Sequence, residues 1–132
     1  MQRQIKAYIS GCAGTEVTAS EKELFRKQQP WGLILFQRNC ASTEQLAALT
    51  ADFRDTVGRK DAPVMIDQEG GRVQRMKPEA NTEWRKYPPA ARFGEMYVKC
   101  PLHALRVARN VGRLMAADLE AAGITVNCLP VL

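Results

Sequence analysis

The sequence has a single histidine, no Cys-x-x-Cys pair, and no apolar run near the roughly 20 residues that a membrane-spanning helix needs. Each shortage removes a class of function. Without clustered cysteine and histidine there is no zinc-site spacing. The four cysteines, at 12, 40, 100 and 128, read as free thiols, with Cys12 and Cys128 suited to burial as small hydrophobes. Aromatic residues make up only 7% and do not interleave with basic ones. The net charge of +5 therefore reads as a solvated basic surface, and no nucleic-acid partner is expected. There is no Gly-Lys-Ser/Thr phosphate loop, and no Gly-x-Gly-x-x-Gly follows the first apolar segment. Met1-Gln2-Arg3-Gln4-Ile5-Lys6 lacks the plan of a signal peptide. A cytoplasmic location with no membrane partner is expected. Low-complexity segments and internal repeats are also missing.

What remains is an ordinary globular composition, 45% hydrophobic and 25% charged over 132 residues, enough for one modest core. Short strands alternate with amphipathic helices. Ile5 to Ile9 suits a first strand, ending at Ser10-Gly11. A helix starts near Thr18 or Ser20, each with a Glu three positions on, and ends before Pro30. Gly32 to Phe36 is a continuous apolar run whose length suits a strand buried on both faces. Ser42 with Gln45 forms another capping box; Leu46, Leu49, Phe53 and Val57 follow at helical spacing, and Gly58 closes that helix. Val64 to Asp67 is a third strand. Residues 76 to 101 form a long, proline-rich passage. Leu105, Ala108, Val111, Met115, Leu119 and Ala122 then mark one face of a long helix, and Ile124 to Cys128 reads as a fourth strand.

Strands separated by helices are parallel, joined by right-handed crossovers. Two α/β architectures fit: an open doubly wound sheet, or part of a (β/α)8 barrel, which when complete typically takes about 250 residues. No internal domain boundary is evident.

The candidate site lies where the third strand ends. Val64 to Ile66 stops at Asp67, and Gln68-Glu69-Gly70-Gly71-Arg72-Val73-Gln74-Arg75 follows. The carboxyl end of a buried parallel strand faces the ligand in both architectures, so Asp67 is expected to bind it. An ionised Asp67 accepts hydrogen bonds from sugar hydroxyls. Asp67 and Glu69 could form an acid/base pair, but neighbours in one loop need not aim at one atom. Glu69 reads better as an ion-pair or backbone hydrogen-bond partner. Arg72 and Arg75 could each fork onto a carboxylate or hydroxyls, or staple the loop. The basic region from Arg72 through Lys77, Arg85 and Lys86 to Arg92 could favour an anionic ligand. His103, in the first turn of the long helix, reads as solvent-facing.

The segment Ile66 to Arg75 resembles the hallmark of family 3 glycoside hydrolases, specifically the bacterial β-N-acetylhexosaminidases of peptidoglycan recycling. Trp31-Gly32-Leu33-Ile34-Leu35-Phe36-Gln37-Arg38-Asn39 is similar to that family's second-strand region, and Gly123 to Leu132 to its fourth. The likeness runs from about Ser10 to Leu132. It implies an incomplete (β/α)8 barrel, about the first four strands and three helices, with residues 1–132 forming the N-terminal portion of one barrel domain. It implies a glycosidase that removes terminal β-N-acetylglucosamine from muropeptides with retention, using no cofactor or metal. The family's binding Asp falls on Asp67 and its binding Arg on Arg75, which implies that both contact the sugar and that Asp67 and Glu69 are not the catalytic pair. The family's further sugar-binding Arg, its Lys-His pair, its acid/base His and its nucleophilic Asp are expected beyond Leu132, so the chain alone is expected to be inactive. His103 does not match that histidine. Glu83-Trp84-Arg85-Lys86 departs from the pattern, since members there read straight on to Leu-Pro. A non-catalytic α/β module binding sugar or phosphate at the Asp67–Arg75 loop is the other reading. Unpaired strand edges and bare helix faces would favour aggregation of an isolated barrel segment.

Overall fold

The computed structural model describes residues 4–79 and 82–130. The chain begins with β1 (Lys6–Ser10), α1 (Ala19–Gln28), β2 (Pro30–Leu35), α2 (Thr43–Val57) and β3 (Val64–Ile66). A short hairpin follows, β4 (Gln68–Gly70) and β5 (Val73–Gln74), then α3 (Ala90–Lys99), α4 (Pro101–Ala121) and β6 (Val126–Asn127). The ends of the fourth-strand likeness, Val131 and Leu132, and the first three residues of the amino-terminal segment lie outside the described residues.

Local signals place the boundaries. Thr18 caps α1 with a full capping box to Glu21. The helix ends at Gln29 in the left-handed region, one residue before Pro30. Ser42 accepts from the Gln45 amide at the start of α2. The return bond from Gln45 goes to Ala41 N rather than to the cap residue, so the box expected there is shifted by one. Gly58, at φ 69°, closes α2 as expected.

β1, β2, β3 and β6 form one parallel sheet in that spatial order. Strands consecutive along the main α/β path are therefore neighbours in space. A doubly wound sheet reverses its order at a switch point, and no reversal occurs among these four strands. The arrangement is a wall of a (β/α)8 barrel. β2 begins two residues earlier than the apolar run suggests, because Pro30 can open a strand where no ladder donor is needed. The fourth strand is shorter than its apolar run. Its flanks still hold register, with Thr125 N donating to Val64 O and Cys128 N to Ile66 O, both at 2.9 Å.

The core lies between the sheet and the helices. Leu33, Leu35, Val64 and Ile66 meet Phe25, Leu46, Leu49, Phe53 and Leu119 there. Phe25 and Phe53 join α1 to α2 edge to face, with centroids 5.6 Å apart, a geometry worth about 0.5–1.5 kcal/mol beyond area burial. Val64 and Ile66 are both buried, as is Met65 between them, so β3 is covered on both faces. β2 is not: Trp31 is exposed and Ile34 half-buried. β1 is the exposed edge, with Tyr8 and Ile9 open to solvent.

Two expectations need correction. The passage from 76 to 101 is not wholly loop, since α3 occupies Ala90–Lys99. Two of its four prolines mark helix starts: Pro89 is the N-cap of α3 and Pro101 the first residue of α4, where the missing N–H costs nothing. The apolar stripe of α4 is also not buried throughout. Ala104, Met115 and Leu119 are buried, but Leu105 is 58% exposed. The first half of α4 pairs with α3, which itself buries no residue fully, so that half-stripe has only a thin partner.

The turn from α4 into β6 is locked by α2. Thr50 Oγ1 donates to Ala122 O at 3.2 Å, and Arg54 Nη2 to Gly123 O at 2.8 Å. Gly123 has φ 73°, and a Cβ there would sit 2.2 Å from Thr50 Oγ1. Gly123→Ala is expected to lower stability by about 1–3 kcal/mol, from strain and the clash together. Urea unfolding followed by far-UV circular dichroism checks it; an unchanged midpoint would show that the turn is not held as described.

Candidate functional site

The site is built at the carboxyl ends of the parallel strands, from three buried amide side chains that take over where the ladders stop. After β2, a short 3-10 turn (Gln37–Asn39) brings Asn39 into complete burial. Its Nδ2 donates to Cys12 O at 3.1 Å and Gly14 O at 2.7 Å, while its Oδ1 accepts from Phe36 N at 2.8 Å. One side chain thus ties the exit of β2 to the exit of β1. After β3, buried Gln68 accepts from Arg75 N at 3.0 Å and Met76 N at 3.1 Å. Buried Gln74 donates to Arg85 O at 2.6 Å and accepts from Tyr87 N at 3.0 Å. These backbone groups of the loop are thereby satisfied by side chains.

The two adjacent glycines let another segment cross the hairpin. Gly70 has φ 91°, and a Cβ on it would lie 2.3 Å from Pro88 O; one on Gly71, at φ 61°, would lie 2.7 Å from Pro89 Cβ. Gly71 N donates to Tyr87 O at 2.9 Å across this contact. The atypical Glu83 to Lys86 stretch is used structurally. Trp84 is buried and its indole N–H donates to Thr43 Oγ1 at 2.8 Å, while Arg85 and Tyr87 both bond the Asp118 carboxylate on α4.

Within this frame Asp67 follows β3 directly, and Arg75 follows β5. Arg75 Nη2 donates to Asp67 Oδ2 at 3.0 Å, with the two side chains 30% and 20% exposed. The pair is held by the loop yet reaches solvent. Arg75 Nε is buried and finds no acceptor among the described residues. An unmade bond of this kind costs about 1–3 kcal/mol; Arg59 Nε, where β2 begins, is in the same condition. Of the two arginines left open by the local residue pattern, the one that the family likeness picks out, Arg75, is brought to Asp67. Arg72 lies exposed in the turn between β4 and β5. Glu69 is half-buried within β4, and His103 is exposed in the first turn of α4.

Two thiols lie in the field of the pair. Burial pushes Cys40 up to about 12, against the Arg75 charge, which pulls it down. Burial raises Cys128 too, and the Asp67 carboxylate adds to this. Cys12 is pushed up to about 11 by burial and then by Glu21. All three stay protonated near neutral pH, and the four cysteines are free. Cys12 is buried as expected, but Cys128 is only partly so. Among the described residues no three His, Cys, Asp or Glu side chains gather to hold a metal ion. No helix among them is long and apolar enough to cross a membrane.

Asn39, Gln68 and Gln74 were not singled out from the sequence. Their signal is weak: an amide beside an apolar run reads equally as a loop residue until its burial is known.

The glycosyl hydrolase family 3 N terminal domain matches residues 3–132. A β-hexosaminidase of Stenotrophomonas maltophilia is 36% identical over 124 residues, which cover 94% of this chain and 36% of that protein. Among solved structures, NagZ of Neisseria gonorrhoeae in complex with zinc ion superposes with a TM-score of 0.86 at 32% identity, covering 97% of this chain and 37% of that one. The same enzyme in complex with N-trifluoroacetyl-D-glucosamine gives 0.86 at 30% identity, covering 96% and 36%. The chain thus spans little more than a third of the length of the relatives it matches.

Thiol chemistry gives a direct check on this geometry. Iodoacetamide at pH 8 should label exposed Cys100 first and leave Cys12 and Cys40 unlabelled until urea is added, as read by peptide mass spectrometry. The raised Cys12 thiol also sets a pH dependence. The native state keeps a proton that the unfolded chain releases from about 9.0 upward, so its contribution to stability is full below that pH and lost as pH rises toward about 11.

Proposed function

The chain belongs to glycosyl hydrolase family 3, and from that membership we propose that its Asp67–Arg75 pair holds the terminal N-acetylglucosamine of a β-linked substrate. The observation that carries the reading is the ion pair itself, placed at the carboxyl end of β3 and open to solvent. Asp67 accepts hydrogen bonds from sugar hydroxyls, and Arg75 both fixes that carboxylate and donates to the ring substituents. Support for an amino sugar comes from the β-hexosaminidase relatives and from the N-trifluoroacetyl-D-glucosamine complex of the gonococcal enzyme.

In this reading residues 1–132 are the N-terminal portion of a barrel whose whole hydrolyses terminal β-N-acetylglucosamine from peptidoglycan-derived muropeptides with retention, in the cytoplasm. Asp67 and Glu69 are not its catalytic pair. Asp67 is already committed to Arg75, and a retaining mechanism needs carboxyl groups about 5–5.5 Å apart on either side of one bond. The nucleophile and the acid/base are assigned to neither of them, nor to His103, which is exposed in the first turn of α4.

The purified 132-residue chain is expected to release no aryl alcohol from an aryl N-acetylglucosaminide; turnover would overturn this assignment. Fusing it to the C-terminal portion of the Stenotrophomonas relative should restore hydrolysis. In that active protein Asp67→Ala and Arg75→Ala should each weaken sugar binding by about 1.5–3 kcal/mol, the range for hydrogen bonds to charged groups. The loss should fall mainly on KM. A change confined to kcat would count against a binding role.

A further inference from the structure

We infer that Gln68 and Asn127 are positioning residues for the sugar site, acting on Arg75 through a relay of side-chain amides. The inference rests on the sugar-binding reading of the Asp67–Arg75 pair and extends it to residues that need not touch the ligand.

The relay starts on β6. Asn127 Oδ1 accepts from Gln68 N at 3.0 Å, and Asn127 Nδ2 donates to Gln68 O at 2.9 Å. A side-chain amide thus pairs with both backbone groups of Gln68, as a neighbouring strand would. β3 pairs with β6 only as far as Ile66 and Asn127, so this contact continues the ladder for the residues where the backbones have parted. It holds the peptide groups on the far side of Asp67, between the sheet and the hairpin.

Gln68 carries the constraint onward. Its buried side chain accepts from Arg75 N and Met76 N, and its Nε2 lies 3.3 Å from Met76 O. The β4–β5 hairpin pairs Gln68 with Gln74 and shifts register before Gly70, so its own ladder is short and irregular. The backbone of Arg75 is therefore set by the Gln68 side chain more than by the hairpin. Asp67 precedes Gln68 in the chain, and Arg75 is bonded to its side chain. One amide thus fixes both backbones whose side chains meet at 3.0 Å. A buried polar group in this position cannot drift, because breaking any of its bonds leaves a donor or acceptor without a partner.

The test uses the active fusion with the C-terminal portion of the Stenotrophomonas relative and N-trifluoroacetyl-D-glucosamine, followed by 19F line broadening, with amide hydrogen exchange measured on the same samples. Gln68→Met keeps the volume and removes the bonds. It is expected to weaken binding about tenfold, the loss of roughly one such hydrogen bond, and to speed exchange at the Arg75 and Met76 amides. Asn127→Ala should weaken binding less and speed exchange at the Gln68 amide. Because the relay acts through Arg75, Gln68→Met should add little to the loss caused by Arg75→Ala. Gly58→Ala, which strains the left-handed cap of α2 without a clash and touches no member of the relay, should leave the affinity of the folded protein unchanged. Additive losses in the double variant, wild-type affinity in Gln68→Met, or an equal loss in Gly58→Ala would each overturn the relay. No binding by the unaltered fusion would overturn the sugar reading; in that case unaccelerated exchange at Arg75 and Met76 in Gln68→Met would overturn the relay independently.

Discussion

A backbone that leaves a parallel ladder still needs partners for its N–H and C=O groups, and in this protein side-chain amides supply them. Parallel strands end abruptly, while the loops that follow must stay dry enough to hold a shaped site. Asn39 meets this need after β1 and β2, Asn127 and Gln68 after β3, and Gln74 between the hairpin and the segment that crosses it. With these bonds made, the strand ends become a rigid floor. A charged pair can then stand on it partly exposed without the loop collapsing around it.

The same economy appears on the helical side of the sheet. α2 makes the central contacts, packing on α1 through Phe53 and Phe25 and reaching the α4–β6 turn through Thr50 and Arg54. Burial lowers the pKa of Arg54 from its usual value, yet it bonds both Ala62 O and Gly123 O, so one cation links the entry of β3 to the entry of β6. Register across the sheet is thus set from both ends: by Arg54 where the strands begin and by the amides where they finish. Where α3 meets α4, by contrast, Tyr97, Val98, Leu102 and Leu105 remain exposed.

Much of this was legible from residue order. The capping residues Thr18, Ser42 and Gly58 stood where their helices begin and end, and the abrupt change from Ile66 to Asp67 marked the site. These signals are local: a cap bonds within a turn, and an apolar run reports its own burial. The prolines misled because their meaning depends on the next turn of chain. Pro89 and Pro101 are helix starters only once a helix follows. The buried amides were illegible for a related reason. Asn127 lies 59 residues from Gln68, and nothing along the chain shows that its side chain substitutes for a strand.

The sequence by itself determined the alternation of strands and helices, the parallel sense of the sheet, and the family likeness centred on Asp67 to Arg75, because each depends on patterns a few residues long. Residue patterns alone left a barrel wall and a doubly wound sheet open; the family likeness implied the barrel, and the strand order of the tertiary structure shows it, since order is a matter of which edges meet. The tertiary structure alone chose Arg75 over Arg72 as the partner of Asp67. Both arginines follow the same carboxylate within eight positions, and the turn at Gly70-Gly71 leaves one exposed in the bend and brings the other back to the strand end.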